Sequence, residues 1–152
     1  MKNILLIILA SVSILVLRGQ SQQSATVGKE KLVDIAADVS LTFHPEYHIN
    51  KDSVEIQGPF VFDVEEFYGA HEDNPEILSC EGRIYYIVNF LDSNPTMKED
   101  YPYMSNVYVW GDTAEPAMVF YPLTGGYGRN FHFVTFEEQK KELQEKKRSC
   151  PK

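Results

Sequence analysis

Ile84-Tyr-Tyr-Ile-Val-Asn-Phe-Leu91 (IYYIVNFL) is the stretch that decides the fold. Only Asn89 interrupts its apolar character, so an extended chain here is apolar on both faces, as a strand inside a sheet must be. On its C-terminal side, Met104–Trp110, Ala117–Tyr121 and Asn130–Phe136 also have strand character, with turn signals at Gly111-Asp112 and between Pro122 and Gly128. On its N-terminal side, Phe60, Phe62 and Val64 alternate with Val61, Asp63 and Glu65, and Ser53–Gln57 is a short strand candidate ahead of Gly58-Pro59. Further back, Ile35, Ala37, Val39, Leu41 and Phe43 follow the two-residue period of a half-buried strand, although Lys29 to Ala37 also admits a short helix. Segments so spaced predict an α+β fold dominated by a curved antiparallel sheet of about seven strands, open or partly closed into a barrel.

One helix is expected at the C-terminal end. Thr135 followed by Glu138 fits a capping box, in which hydroxyl and carboxylate satisfy two orphan amide donors of the first turn. Phe136 to Arg148 is then rich in helix formers, with Lys146, Lys147 and Arg148 set against the negative end of the dipole. Phe136 and Leu143 are its only apolar stripe, which predicts weak docking.

At the other end, Lys2 and Asn3 precede an apolar run from Ile4 to Leu17 that ends at Arg18-Gly19. Its 14 residues fall short of the roughly 20 that a spanning helix needs. A signal peptide over residues 1–19 is therefore expected, followed by a flexible polar leader over 20–31 and one globular domain over 32–152. This layout predicts an extracytoplasmic protein, periplasmic or secreted, with no stable membrane insertion after cleavage.

Charge is unevenly spread. Asp34 to Glu138 holds 19 acidic residues against Lys51, Arg83, Lys98 and Arg129, whereas Gln139 to Lys152 holds six basic residues against two acidic ones. An acidic body repels nucleic-acid phosphates and anionic membranes and speeds encounters with cationic ligands or basic protein surfaces. The two cysteines, Cys80 and Cys150, are expected to pair in an oxidising compartment. Such a bridge would contribute roughly 4 kcal/mol in the chain-entropy model and hold the C-terminal segment to the sheet.

Candidate chemistry is sparse. In an extended chain His44, Glu46 and His48 would share one side, the donor set of an open zinc or ferrous site, although Pro45 disturbs a regular strand. His71-Glu72-Asp73 and nearby glutamates lack the spacing of a calcium loop. No C-x-x-C or G-x-S-x-G occurs, and Cys80 or Cys150 acting with His132 as a nucleophile requires the disulfide to be absent. The glycine-rich 124–130 segment lacks a phosphate-loop signature and reads as a mobile connection or a binding loop carrying Tyr127 and Arg129.

The aromatic residues carry the leading expectation. Thirteen of the 19 lie between Tyr85 and Phe136. Tyr101, Tyr103, Tyr108, Trp110 and Tyr127, with Arg129, would form an exposed recognition patch if Val107 and Val109 faced the core. The chain then reads as a non-catalytic binding protein without cofactor, whose partner has a basic surface. A glycan or small ligand held by exposed Tyr and Trp is the alternative, and a small metal-dependent enzyme using His44, Glu46 and His48 is the second.

Overall fold

A computed structural model describes residues 27–69, 71–92, 102–122 and 126–149. The expected signal peptide, most of the leader, Tyr101 and Cys150 lie outside the described residues. The chain is α+β, with the order α1 (Lys29–Phe43), β1 (Val54–Val61), α2 (Val64–Tyr68), α3 (Pro75–Leu78), β2 (Ile84–Leu91), β3 (Tyr103–Trp110), β4 (Pro116–Tyr121), β5 (Tyr127–Asn130) and α4 (Phe136–Ser149). Among the described residues no helix is long and apolar enough to cross a membrane.

The five strands form one antiparallel meander, β1-β2-β3-β4-β5. The sheet is open: β1 and β5 are its edges. Among the described residues five strands in an open sheet stand in place of the expected seven and the partly closed barrel; two local outcomes lower the count and another moves the last strand. Ser53–Gln57 and the segment from Phe60 are a single strand, whose pairing with β2 shifts between Gln57 and Phe60. Gly58 sits at that shift with φ +112°, and a Cβ there would lie 3.0 Å from the Tyr85 carbonyl oxygen. The last strand falls on Tyr127–Asn130, because Tyr121 pairs with Tyr127 and Phe120 with Gly128.

The third outcome is α1, where a strand was expected. Leu32, Val33, Ala36, Ala37, Val39 and Ser40 are all buried, the three-and-four spacing of a helix stripe, while Leu41 is exposed. A strand would send Ala36 and Ala37 to opposite faces. The helix stops at His44, whose φ −130° and ψ 71° leave the helical region ahead of Pro45.

Both sheet faces are covered, by different means. Under α1 lie Tyr86, Val88, Phe90, Val107, Val109, Val119 and Tyr121. Ser40 and Ser105, both fully buried, satisfy each other at 2.8 Å across this layer. On the opposite face Phe62, Val64, Ile77 and Cys80 cover Tyr85 and Trp110. The acidic stretch between β1 and β2, whose start was read as strand, thus supplies two short helices. Asp63 caps α2 by accepting from the Glu66 amide at 3.0 Å, and Asn74 caps α3 by accepting from the Glu76 amide at 2.9 Å, with Pro75 opening the helix.

The C-terminal helix forms as expected. Thr135 accepts from the Glu138 amide at 3.3 Å, and Glu138 accepts from the Thr135 amide at 2.9 Å. Phe136 is its one buried residue.

Phe90→Ala removes a ring that is 1% exposed and is expected to cost about 3–5 kcal/mol. Phe133→Ala, on the exposed surface, should stay within about 0.5 kcal/mol of the parent. Urea unfolding of both variants checks the layer assignment.

Candidate functional site

The structure places the expected recognition residues on different surfaces. Tyr108 and Trp110 do share a face, and Val107 and Val109 do face the α1 core. The ring face is nevertheless covered: Trp110 is 3% exposed, with Phe62 edge-on at 5.3 Å, and Tyr108 stacks on Tyr85 at 5.8 Å. Tyr103 donates to Glu55 Oε2 at 2.7 Å. Tyr127 and Arg129 belong to the opposite face, since they pair with Tyr121 and Val119 beneath α1. Tyr127 is exposed, and Arg129 lies 4.4 Å from the Phe43 ring centre and 5.4 Å from that of Tyr127. Among the described residues these side chains do not share one patch, because α2 and α3 cover Tyr108 and Trp110 while Tyr127 and Arg129 lie on the other face.

The His44, Glu46, His48 set does not converge either. His44 ends α1 and bonds Glu46 Oε1 through Nδ1 at 2.8 Å, which holds the Glu46 carboxyl below its usual range. His48 stands exposed, and the described residues contain no group of three or more His, Cys, Asp and Glu arranged to hold a metal. The helix end and the Pro45 turn replace the straight strand that would have aligned these side chains.

A cleft of about 620 Å³ opens where four distant segments meet. Ile35 and Asp38 come from α1, and Glu76, Ser79, Cys80 and Arg83 from α3 and the turn that follows it. Trp110, Ala114, Glu115 and Pro116 flank the β3–β4 turn, and the run from Phe131 to Glu137 closes the remaining wall. In that turn Ala114 has φ +62°, a left-handed conformation costly for a residue with a Cβ. Its amide bonds the Trp110 carbonyl at 3.0 Å, and the Trp110 amide bonds the Glu115 carbonyl at 2.9 Å, so the turn fixes the indole in the cleft wall.

Charge in the cleft is mostly negative. Arg83 is its cation, lying 4.1 Å from the Trp110 ring centre and gripping Asp112 through Nε at 3.1 Å and Nη2 at 2.8 Å. That grip holds the Asp112 carboxyl below its usual range. Asp38 is paired with Lys140 at 2.7 Å, whereas Glu76, Glu115 and Glu137 have no ion pair among the described residues.

His132 is held from three sides. Its amide donates to Asn130 Oδ1 at 2.7 Å, its Nδ1 lies 3.2 Å from Tyr68 Oη, and its ring stacks on Trp110 at 5.7 Å. Asn130 Nδ2 donates to the same Tyr68 oxygen. His132 Nε2 is buried without a hydrogen-bond partner among the described residues. Burial, and then the nearby Arg83 charge, push its pKa below the ordinary 6.5. Cys80 has no disulfide partner among the described residues, is 6% exposed and has Sγ 3.5 Å from the Glu76 carbonyl oxygen; Cys150 lies outside the described residues. Cys80 and His132 line the same cleft.

Compared with known proteins, the chain matches no family model, no curated protein and no solved structure.

The lowered His132 pKa sets a pH dependence. The unfolded chain takes up a proton at this ring as pH falls through 6.5, whereas the folded chain resists until lower pH, so stability present above 6.5 declines below it. His132→Gln should flatten this part of the profile, leaving the loss below pH 4.5 from the lowered carboxylates Glu46, Glu55, Asp112, Glu138 and Glu142. Urea midpoints at pH 7.5, 5.5 and 4.5 read the difference.

Proposed function

We propose that this chain is a non-catalytic binding protein of the extracytoplasmic space that recognises a partner with a basic surface. The observation carrying the proposal is the cleft, in which Glu76, Glu115 and Glu137 have no ion pair among the described residues, while Arg83 is held by Asp112 and the nearby Lys140 by Asp38. A partner's Lys or Arg side chain entering there meets carboxylates at its charged end and Phe131, Phe136 and Ile35 along its stem, the division that long cationic side chains favour. Leu78, two residues beyond Glu76 in α3, and Phe133 and Val134, between the cleft residues His132 and Thr135, are exposed and able to bury area against a protein. The acidic body supplies longer-range attraction. The extracytoplasmic setting rests on the Ile4–Leu17 run and its basic lead.

This moves recognition from the expected aromatic patch to the cleft. For the glycan alternative Trp110 is covered and Tyr127 is the exposed ring.

Trp110 is the only tryptophan and lines the cleft, so its fluorescence reports occupancy. Titration of residues 20–152 with an oligolysine peptide should shift that emission at low salt. Affinity should fall at least tenfold in 1 M salt, where the screening length is about 3 Å. Glu115→Gln/Glu137→Gln should weaken binding, while Glu142→Gln/Glu145→Gln on α4 should leave it near the parent value. An unchanged emission, or equal losses in the two double variants, would refute the cleft as the recognition site.

A further inference from the structure

We infer that two copies of this chain pair through α4, antiparallel about a twofold axis at the level of Leu143. The observation that carries this is the order of charges on the side of the helix that the domain leaves bare. Phe136 is buried, and Gln139, Lys140 and Leu143 are half-buried, which marks the side of α4 that faces the domain. From that side Lys140 bonds Asp38 of α1 and Gln139 bonds the Asn130 carbonyl of β5. At about 3.6 residues per turn the opposite side carries Glu138, Lys141, Glu145 and Arg148, spaced three, four and three apart in a stripe along the helix. All four are exposed, and none has an ion pair among the described residues. The ion pair within α4, Glu142 with Lys146, stands on the flank of the stripe.

The stripe reads acid, base, acid, base, and that order selects both the partner and its orientation. A parallel twofold pair would set each charge against its own copy, which repels at every position. Turned end for end about the level of Leu143, position 138 meets 148 and position 141 meets 145. Glu138 then faces Arg148 of the second copy and Lys141 faces Glu145 of the second copy, and the twofold axis repeats both contacts. Every pairing within the stripe is therefore between opposite charges. Helices at the usual separation of about 8–10 Å bring such side chains within reach of each other. Glu138 can take part, because its capping bonds with Thr135 use Oε2. The remainder of the domain favours this contact over others: its acidic excess makes approach through the body repulsive, whereas the stripe carries no net charge. The pair closes on itself and leaves no free stripe for a third copy. Exposed ion pairs contribute little each, so the dimer is a weak one. None of the four residues lines the cleft, and the pairing stands independently of the cleft's partner.

Sedimentation equilibrium of residues 20–152, kept reduced so that no disulfide joins two copies, tests the pairing from about 10 μM to about 1 mM protein, the range of weak association. The parent should approach twice the monomer mass and go no further, and about 1 M salt should weaken the association about tenfold. Lys141→Glu and Glu145→Lys each place like charges at the two central contacts, and each should weaken self-association about tenfold. An equimolar mixture of these two variants should recover the parent's association, because every opposite-charge contact forms again between unlike chains. The double variant Lys141→Glu/Glu145→Lys, which keeps the parent's net charge, should recover it as well. Recovery on mixing cannot come from a damaged fold, and an association governed by net charge alone would instead tighten in Glu145→Lys. A parent that stays monomeric throughout, growth beyond a dimer, a tighter Glu145→Lys dimer, or a mixture no better than its components would each overturn the pairing.

Discussion

The row Ile56, Val88, Val107, Val119 and Arg129 crosses all five strands as successive register partners, and α1 packs over its three central valines. The three valines have no solvent exposure, and neither does Ala36 above them. Small side chains on the helix and branched ones on the sheet let the two surfaces approach closely, so each methyl gains contacts that a longer side chain would prevent. At the end of the row Val119 pairs with Arg129, whose guanidinium lies over Phe43 in the last turn of α1. The apolar layer therefore finishes in a cation held against an aromatic face, and the edge strand β5 is tied to the helix although it is only four residues long.

Once α1 has taken one face, the other must be covered by what remains between β1 and β2. That segment is acidic and short of apolar residues, and it covers only part of the sheet. Phe62, Phe67 and Ile77 reach over Tyr85, Tyr108 and Trp110, and the uncovered corner beside Trp110 is the cleft. The acidity of the site is pooled from separate elements: Asp38 from α1, Glu76 from α3, Glu115 from the β3–β4 turn and Glu137 from α4.

Much of this was legible in the sequence where the local pattern had a single solution. Ile84–Leu91 is β2 with the bounds read from its two apolar faces, and β3, β4 and α4 begin or end within one residue of expectation. The Thr135–Glu138 box forms because it needs only four neighbouring residues. Failure came where two periods shared the same side chains: in Lys29–Phe43, positions 37 and 39 satisfy strand alternation and helical stripe alike, and burial of the Ala36-Ala37 pair with exposure of Leu41 separates them. The cap signals Asp63 and Asn74-Pro75 were present but were outweighed by the alternation before them and the acidity after them. The cleft has no local signature, since its walls come from segments up to a hundred residues apart.

The course of α4 has a further meaning for α1. Glu137 stands at the cleft, whereas Lys147 is close enough to Glu46 to influence its carboxyl, so the helix runs from the cleft toward the end of α1. Its 14 residues span about 21 Å, and Lys140 and Phe136 fasten its first turns to Asp38 and Phe43. A change that loosened α4 would therefore be felt at two separated places along α1, the cleft wall at Asp38 and the turn at Glu46.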